Sequence, residues 1–569
     1  MQARPYKTVA PKETVTTIKK ILNSYNIEVI EKRWYNPHPN VFSVLLETNS
    51  TLGQFSTSGK GVTRDLALAS AYAEFLERLQ NGLISQTPFS RANLNRIKTK
   101  TGFYYFRDET VSSKIDFNRI PSSIKADLFG DEFPNNAVER YFNRLKENGL
   151  DGVTSLPFKE LSTGKVINLP YNLLIGLTGS NGMCAGNSPS EAIYQGLCEL
   201  IERYAASYIF FNQICPPSIP NDVLSAFPEA ANIIDDIERN STFKVDVKSF
   251  ETPFGLPVLG VIISDRTNNL YRLNVGCDKS FSVALRRCLT EIYQGVEDNE
   301  AMHSIMLPMP SRKASWFRDN DEYSVQRRRK EFVKFCVNGQ GVFPSSLFAG
   351  KSQYSFSMDS FGELESFEAE VDDLVQKIQK MGTTVYMHDS SYMNFPAFWL
   401  YIPGFLLASA EGNNMYPIND IDRAISFDQI EDVLFSNLES LNSRTQLANL
   451  LEPIPKDETL HSITRIETFN GVWEKLPLAY LLTLLWNSIG NFPKALDNLA
   501  ELKRQYPNAS KYDFLDNLIG IDSKVNDSLN YIRLPRCPDC INCSLENDCK
   551  VSGKIRLYER STGSHFFHQ

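Results

Sequence analysis

The segments TRDLALASAYAEFLER (residues 63–78) and SPSEAIYQGLCELIER (residues 188–203) follow one template. Each begins with a residue suited to cap a helix, Thr63 or Ser188, two positions after a glycine. Polar residues then recur with i, i+4, i+7 spacing, which stacks their side chains on one helix face. The segments therefore predict two equivalent helices with matching polar stripes. The stripes comprise Ser70, Glu74, Glu77 and Arg78 in the first helix and Gln195, Glu199, Glu202 and Arg203 in the second.

A third segment, SFSVALRRCLTEIYQG (residues 280–295), fits the same template. Ser280 takes the cap position, and Arg287, Glu291 and Gln294 take the i, i+4, i+7 positions. A single stripe of this kind is most simply a solvated face of an amphipathic helix. Three copies with apolar opposite faces instead favour a polar site between packed helices, where the carboxylates must be neutralised by cations.

Glutamates that converge with arginines suit Mg²⁺ bound to a polyphosphate. Mg²⁺ prefers hard oxygen ligands, and guanidinium groups bind phosphate through paired hydrogen bonds. The sequence contains no G-x-x-x-x-G-K-[ST] motif, so such a site is not a P-loop.

Outside these segments, helical and strand patterns alternate. Residues 14–24 show helical spacing, and residues 41–47 predict a strand after the rigid NPHPN turn. The fold class is therefore an α/β or α+β core. The turn-rich, charged stretch at about 85–165 is expected to form a surface excursion. Further strands are predicted at 256–264, 270–275, 384–388 and 398–402.

The sequence predicts three parts: a core at 1–422, an all-helical domain at 423–532 and a cysteine-rich tail at 533–569. Strand patterns disappear in the helical domain. Its residues 478–502 loosely resemble one tetratricopeptide unit, and generic helical packing fits them about equally well.

Composition excludes several classes of protein. The 569 residues are 42% apolar, which excludes wholesale disorder, and the net charge of -8 gives no global basic field for nucleic acid or an anionic membrane. We expect no secretory signal and no membrane span. Six scattered cysteines in apolar contexts are typical of a reduced compartment, so the expected location is the cytoplasm. They are Cys184, Cys198, Cys215, Cys277, Cys288 and Cys336.

The tail segment CPDCINCSLENDC places Cys537, Cys540, Cys543 and Cys549 within 13 residues. In a reducing compartment this density favours structural Zn²⁺ or an iron–sulfur cluster. Disulfide or persulfide handling and unrelated thiols are the alternatives.

Two histidines could be catalytic, but the sequence favours a structural role for both. His38 lies in the NPHPN turn and is expected to be a turn residue. His388 precedes Asp389 after a predicted strand, where a general base is conceivable, but a hydrogen-bonded structural histidine is the better interpretation.

Four long segments resemble the YcaO family: residues 34–44, 56–78, 180–203 and 282–295. The resemblance covers residues 14 to 420 approximately and implies a YcaO-type core with an ATP site in which glutamates hold Mg²⁺. The spacing of the first helix adds Arg78 to the site. The family also has a polar contact near its amino terminus, which would be either Lys7 or Lys12 here. Glu74, Glu77, Glu199, Glu202 and Glu291 are the implied Mg²⁺ ligands. The implied ATP and magnesium set is Ser70, Glu74, Glu77, Asn187, Glu191, Glu199, Glu202, Arg203, Arg287 and Glu291.

The activity implied by the resemblance is ATP- and Mg²⁺-dependent activation of peptide backbone amides by phosphorylation of the amide oxygen. A phosphorylated oxygen leaves readily, and phosphoryl transfer mainly needs positioned phosphates and cations, so no catalytic side chain is assigned. The product would be an azoline, a thioamide or an amidine on a ribosomally made peptide or protein. A sulfur-donor or leader-binding partner protein and a homodimer are further expectations.

Two alternatives remain open. The first is a non-catalytic ATP-binding accessory protein for a sulfur-transfer or methylthiolation enzyme. The second is an ATP-dependent peptidase or ligase. Azoline-forming relatives commonly end in a proline-rich tail, whereas this sequence ends HFFHQ, so a cyclodehydratase that uses its terminal carboxylate is not expected.

Overall fold

A computed structural model describes most of the predicted core and part of the helical region. The cysteine-rich tail lies outside the described residues, so its predicted metal stays a prediction. The described residues are 5–25, 27–48, 55–83, 106, 108–112, 120–129, 153–252, 254–311, 314–405, 440–454, 456, 477–506, 512, 515–516 and 518–519.

The described strands form three antiparallel sheets. The first has the order β1-β2-β3, the second β11-β10-β9-β8, and the third β4-β5-β12-β13-β7 with β6 paired to β5. The strands are β1 (Val29–His38), β2 (Val41–Thr48), β3 (Ser56–Gly61), β4 (Thr110–Ser112), β5 (Val153–Glu160), β6 (Val166–Pro170), β7 (Met183–Ala185), β8 (Lys244–Ser249), β9 (Val258–Asp265), β10 (Leu270–Cys277), β11 (Leu307–Pro308), β12 (Tyr386–Asp389) and β13 (Ala397–Tyr401).

Most helices before residue 406 pack against these sheets, and the three C-terminal helices pack against one another. Within the described residues, none of the helices is both long and apolar enough to span a bilayer. The helices are α1 (Pro11–Ser24), α2 (Arg64–Gln80), α3 (Ser122–Phe129), α4 (Tyr171–Thr178), α5 (Pro189–Phe211), α6 (Asn221–Ser225), α7 (Pro228–Asn240), α8 (Phe281–Glu291), α9 (Asn299–Ile305), α10 (Glu322–Asn338), α11 (Phe367–Lys380), α12 (Leu441–Leu451), α13 (Leu478–Ile489) and α14 (Phe492–Gln505).

Three strand–helix units position the predicted polar stripes. Strands β3, β7 and β10 lead directly into helices α2, α5 and α8, one from each sheet. A glycine allows close packing in each unit. A Cβ atom would lie 2.2 Å from the Ala67 carbonyl oxygen on Gly59 of β3, 2.8 Å from Cys184 Sγ on Gly196 of α5, and 2.7 Å from Cys288 Sγ on Gly276 of β10. The backbone approach therefore fixes each helix relative to its strand.

The predicted helices and strands are largely confirmed. The strands predicted at 41–47, 256–264, 270–275, 384–388 and 398–402 appear as β2, β9, β10, β12 and β13, with ends shifted by up to two residues. The fold is the expected mixture of helices and sheets. All described strand pairs are antiparallel, which matches an α+β arrangement.

The surface excursion predicted at about 85–165 is wrong for the described residues of that stretch. Strand β5 lies inside the third sheet, between β4 and β12. Leu156 and Phe158 on this strand are fully buried, as are Phe106 and Ile124. These side chains pack in the apolar layer beneath α4.

The C-terminal helices form an apolar cluster of their own. Helix α13 has an almost continuous buried surface and packs against α12 and α14. Helices therefore exist in the C-terminal region, but the all-helical domain predicted at 423–532 is not confirmed. Their likeness to a tetratricopeptide unit is not confirmed.

Candidate functional site

One cavity of about 350 Å³ lies among α2, α5, α8 and the segment before α1. All eleven side chains predicted for the ATP and magnesium set line it. The three polar stripes therefore meet in space, as their common template predicts. These residues are Ser70, Glu74, Glu77, Arg78, Asn187, Glu191, Glu199, Glu202, Arg203, Arg287 and Glu291.

Helix α2 contributes two carboxylates and an arginine to the cavity. The Thr63 hydroxyl caps the helix by accepting a hydrogen bond from the Leu66 N–H at 3.2 Å. Arg78 lies 3.0 Å from Glu77 and 3.7 Å from Glu74. Burial raises the pKa of both glutamates, to about 8 for Glu77, although the guanidinium of Arg78 opposes the rise. The carboxylates of α2 are therefore short of positive charge.

Helix α5 contributes the central carboxylates. Ser188 caps the helix through the Glu191 N–H at 3.2 Å. Glu199 accepts a hydrogen bond from the Gly182 N–H at 3.1 Å and lies 3.9 Å from Arg203. Arg203 in turn donates to the Asn181 side chain at 3.0 Å, so the loop before β7 holds the guanidinium in place.

Helix α8 brings Arg287 within 3.3 Å of Glu202. Burial raises the pKa of Glu202 to about 7 despite this guanidinium. Glu291 lies 3.3 Å from Lys60, and its pKa is lowered because the nearby cations, led by Lys60, outweigh its burial. The cavity thus holds carboxylates whose pKa values shift in opposite directions. Nearby cations balance the charge of Glu291, whereas Glu77 and Glu202 lack such balance.

Two details of the α8 template are corrected. Ser280 occupies the position before the helix but makes no side-chain capping bond. Its N–H donates instead to the Asp278 carboxylate at 2.9 Å, which forms a turn before the helix. The helix ends at Glu291, so Gln294 lies beyond it, where its amide donates to the Ser58 carbonyl at 3.1 Å.

The segment before α1 lies against the cavity. Lys7 is 3.4 Å from Glu191, and both the N–H and the hydroxyl of Thr8 donate to the same carboxylate. These donors lower the pKa of Glu191 in spite of its burial. Lys12 lies outside the cavity lining, is 81% exposed and pairs with Asp65. The structure thus places Lys7, not Lys12, at the cavity.

Sequence reasoning missed three charged residues of the lining: Lys60, Asp278 and Arg286. Lys60 belongs to a strand and has no helical spacing, and its only sequence signal is its position between Gly59 and Gly61. Arg286 adjoins the predicted Arg287 and pairs with Glu229 at 2.6 Å.

Both histidines are structural, but His38 is the last residue of β1 and pairs with Val41, so its prediction as a turn residue is wrong. His38 is buried, with its ring nitrogens 2.8 Å from Asp236 and 3.2 Å from Asn299. His388 is buried between the Pro157 carbonyl and the Tyr392 hydroxyl. Burial lowers the pKa of His388.

The residues of the cavity fit a magnesium–polyphosphate ligand by charge and donor type. Within the described ranges, no three His, Cys, Asp or Glu side chains form a metal site by themselves. Mg²⁺ does not need one, because it commonly binds through one or two carboxylates together with substrate phosphates and water. Buried carboxylates with raised pKa values favour an added cation, and the arginines between them suit phosphate oxygens.

Comparison with known proteins identifies a family whose sequence model matches this chain. The sequence model of the family described as YcaO cyclodehydratase, ATP- and Mg²⁺-binding, matches residues 58–406. That description names neither zinc nor an iron–sulfur cluster. The ribosomal protein S12 methylthiotransferase accessory factor YcaO of Escherichia coli is 25% identical over 506 residues, covering 86% of this chain and 81% of that protein. An uncharacterised protein of Haemophilus influenzae is 25% identical with the same coverage.

Similar solved structures include a heterocyclase in complex with substrate and cofactor, with a TM-score of 0.47 and 16% identity over 71% of this chain and 54% of that one. The structure of YcaO from Methanopyrus kandleri bound with AMPPCP and Mg²⁺ has a TM-score of 0.45 and 17% identity, covering 73% of this chain and 97% of that one.

Proposed function

The chain belongs to the YcaO family, and from that premise we propose that it uses ATP and Mg²⁺ to activate backbone amides of a peptide or protein substrate. The observation that carries the proposal is the convergence of three strand–helix units on one cavity, with the ten side chains implied by the family and Arg78, which was added by spacing. Bound ATP would supply an electrophilic phosphoryl group that makes the amide oxygen a leaving group once a nucleophile has added to the carbonyl carbon.

The carboxylates of the three helices are proposed to hold Mg²⁺. Glu77 and Glu202 carry the largest deficit of positive charge, because burial raises their pKa values to about 8 and about 7. Glu74, Glu199 and Glu291 face the same cavity. An added cation stabilises their ionised forms, so metal affinity and carboxylate ionisation support each other.

The arginines are proposed to bind the phosphates. Each of Arg78, Arg203 and Arg287 stands beside a carboxylate of the cavity, at 3.0 to 3.9 Å. A guanidinium paired with a carboxylate keeps free N–H groups for a second acceptor. The three arginines would therefore orient the phosphates, and Lys7, Asn187 and Ser70 would complete the nucleotide contacts.

The product class is a finer proposal: an azoline, a thioamide or an amidine, according to the nucleophile. The test is turnover with candidate ribosomal peptides, in which ADP and phosphate release is followed together with peptide mass. An enzyme of the proposed type releases ADP in proportion to a mass change at one backbone amide. Cleaved or joined peptide would indicate a peptidase or ligase instead.

A second candidate is an accessory role. It is favoured by the 25% identity over 86% of the chain to a protein named as a methylthiotransferase accessory factor. Such a protein would bind Mg²⁺ and ATP without peptide-linked hydrolysis and would stimulate a partner enzyme. Absence of peptide-dependent ADP release, together with intact nucleotide binding, would favour this role over catalysis.

The parts outside the core have proposed roles of their own. The C-terminal helices, tetratricopeptide-like or not, are proposed to dock a partner protein such as a sulfur donor. The tail cysteines Cys537, Cys540, Cys543 and Cys549 are proposed to bind Zn²⁺ or an iron–sulfur cluster, which elemental analysis of the full chain and of a four-serine variant would test. A homodimer is proposed as well, and sedimentation velocity would test it.

A further inference from the structure

Lys60 provides a positive charge between two of the site helices. Its ammonium nitrogen lies 3.3 Å from Glu291 Oε1 on α8. Glu74 on α2 and Glu202 on α5 also act on its charge, while Arg287 repels it. Carboxylates from all three site helices thus act on the charge of Lys60.

The backbone of β3 fixes the position of the Lys60 Cα atom. A Cβ atom on Gly59 would lie 2.2 Å from Ala71 N, and one on Gly61 would lie 2.7 Å from Ala67 N, so β3 is pressed against α2 on both sides of Lys60. On the opposite side, the Gln294 amide donates to the Ser58 carbonyl at 3.1 Å and ties β3 to the end of α8. From this fixed strand the Lys60 side chain reaches Glu291 on α8 and lines the cavity.

The Lys60 side chain keeps its positive charge. Its burial acts to lower the pKa of the ammonium group, but Glu291 and Glu74 outweigh that effect and raise the pKa. The side chain is 23% exposed and lines the cavity, so the ammonium group adjoins the space that a ligand would fill.

We propose that Lys60 is a resident counter-cation, which neutralises Glu291 in the ligand-free protein and moves to phosphate oxygens when Mg²⁺ and nucleotide enter together. The inference rests on the proposed function. An ammonium group and Mg²⁺ compete for the same carboxylate oxygens, and a compact charge on a flexible stem is able to change partners, unlike a guanidinium fixed in a fork. Metal without nucleotide is thereby disfavoured.

The experiment compares Lys60→Met with Lys12→Met, a control lysine that pairs with Asp65 on α2 but is 81% exposed. Mn²⁺ alone is titrated into each full-length protein and free Mn²⁺ is read by electron paramagnetic resonance. Mg²⁺·ATP is titrated separately by calorimetry. We expect Lys60→Met to bind Mn²⁺ alone about tenfold more tightly and Mg²⁺·ATP about tenfold more weakly, because competition and phosphate contact are lost together.

Lys12→Met is expected to match the native protein in both titrations. Unchanged or weaker Mn²⁺ binding by Lys60→Met would overturn the inference and leave Lys60 as a structural ion pair. The Mn²⁺ titration contains no nucleotide, so a native protein that fails to bind ATP refutes the proposed function and still leaves the competition measurable.

A labelling measurement on the native protein serves if Lys60→Met does not fold. Acetic anhydride is applied with and without saturating Mn²⁺, and the modified lysines are quantified by mass spectrometry. Displacement of the ammonium group should increase acetylation of Lys60 several-fold and leave Lys12 unchanged. Equal acetylation of Lys60 in both samples would overturn the inference.

Discussion

The guanidinium of Arg287 lies 3.3 Å from Glu202 Oε1, and the same oxygen accepts a hydrogen bond from the Cys277 N–H at 2.8 Å. This relationship joins the end of β10, helix α8 and the middle of α5 at one atom. Glu202 is 6% exposed, and burial raises its pKa to about 7 even with the arginine beside it. The pair is thus a fixed structural element whose charge is not fully satisfied without a further cation.

Removing Arg287 should leave Glu202 without its nearest cation. We predict that Arg287→Met weakens Mg²⁺·ATP binding by about 30-fold or more, because truncating one member of a buried ion pair typically costs 2 kcal/mol or more. Calorimetry checks this against Arg239→Met, whose arginine is 74% exposed in its ion pair with Asp235. Equal losses in the two variants would mean that Arg287 has no special place in the site.

Glu77 should destabilise the ligand-free fold at alkaline pH. Its pKa is raised from 4.5 to about 8, chiefly by burial, so the ionised form is disfavoured in the fold and stability falls as pH rises between these values. We predict that Glu77→Gln is more stable than the native protein at pH 8.5 by on the order of 1 to 3 kcal/mol. The advantage should vanish near pH 4.5, and urea unfolding at the two pH values measures it. The same advantage at both values would contradict this account.

Binding of Mg²⁺·ATP should release protons near pH 7. Glu77 and Glu202, with pKa values of about 8 and about 7, are partly protonated in the free protein, and a metal ion needs them ionised. Calorimetry in buffers of different ionisation enthalpy should show net release of about one proton per nucleotide bound. The release should shrink in Glu77→Gln. Proton uptake on binding would contradict the assignment of these carboxylates to the metal.

The packing of β3 against α2 makes Gly59 irreplaceable. A Cβ atom there would lie 2.2 Å from both Ala67 O and Ala71 N, so Gly59→Ala must separate the strand from the helix. We predict a loss of about 2 to 4 kcal/mol in the free energy of unfolding. Gly362→Ala is the matched control, since nothing lies within 4 Å of its added methyl group. A stable Gly59→Ala protein would show that this approach is not fixed.

The sequence predicted the site better than it predicted the fold around it. Helices α2 and α5 follow from capping residues and from stripes with strict spacing, and both caps are made by the expected side chains. At α8 the same template fails at its two ends, because Asp278 takes over the turn before the helix and the chain reverses after Glu291 at Gly295, with φ of +75°. Spacing alone cannot show where a neighbouring turn ends a helix.

The other misses depend on long-range contacts. Strand β5 contains Pro157, and a proline is unusual in a central strand, so the alternation of buried residues was obscured. The Pro157 carbonyl nevertheless contacts the His388 ring on β12, which is remote in sequence. The choice of Lys7 over Lys12 required the position of Glu191, far along the chain. Lys60 joined the site only through the meeting of β3 with two helices. Pairings between remote segments are set by tertiary packing, which local patterns do not encode.

The central claim is that the meeting of three polar stripes creates a binding site for Mg²⁺ and ATP. The most direct measurement is calorimetric titration of ATP, with and without Mg²⁺, into the native protein and a Glu199→Gln, Glu202→Gln variant, with Glu300→Gln, at an exposed position of α9, as a control. We predict Mg²⁺-dependent binding by the native and control proteins and its loss in the double variant. Binding by the double variant as tight as that of the native protein would contradict the account.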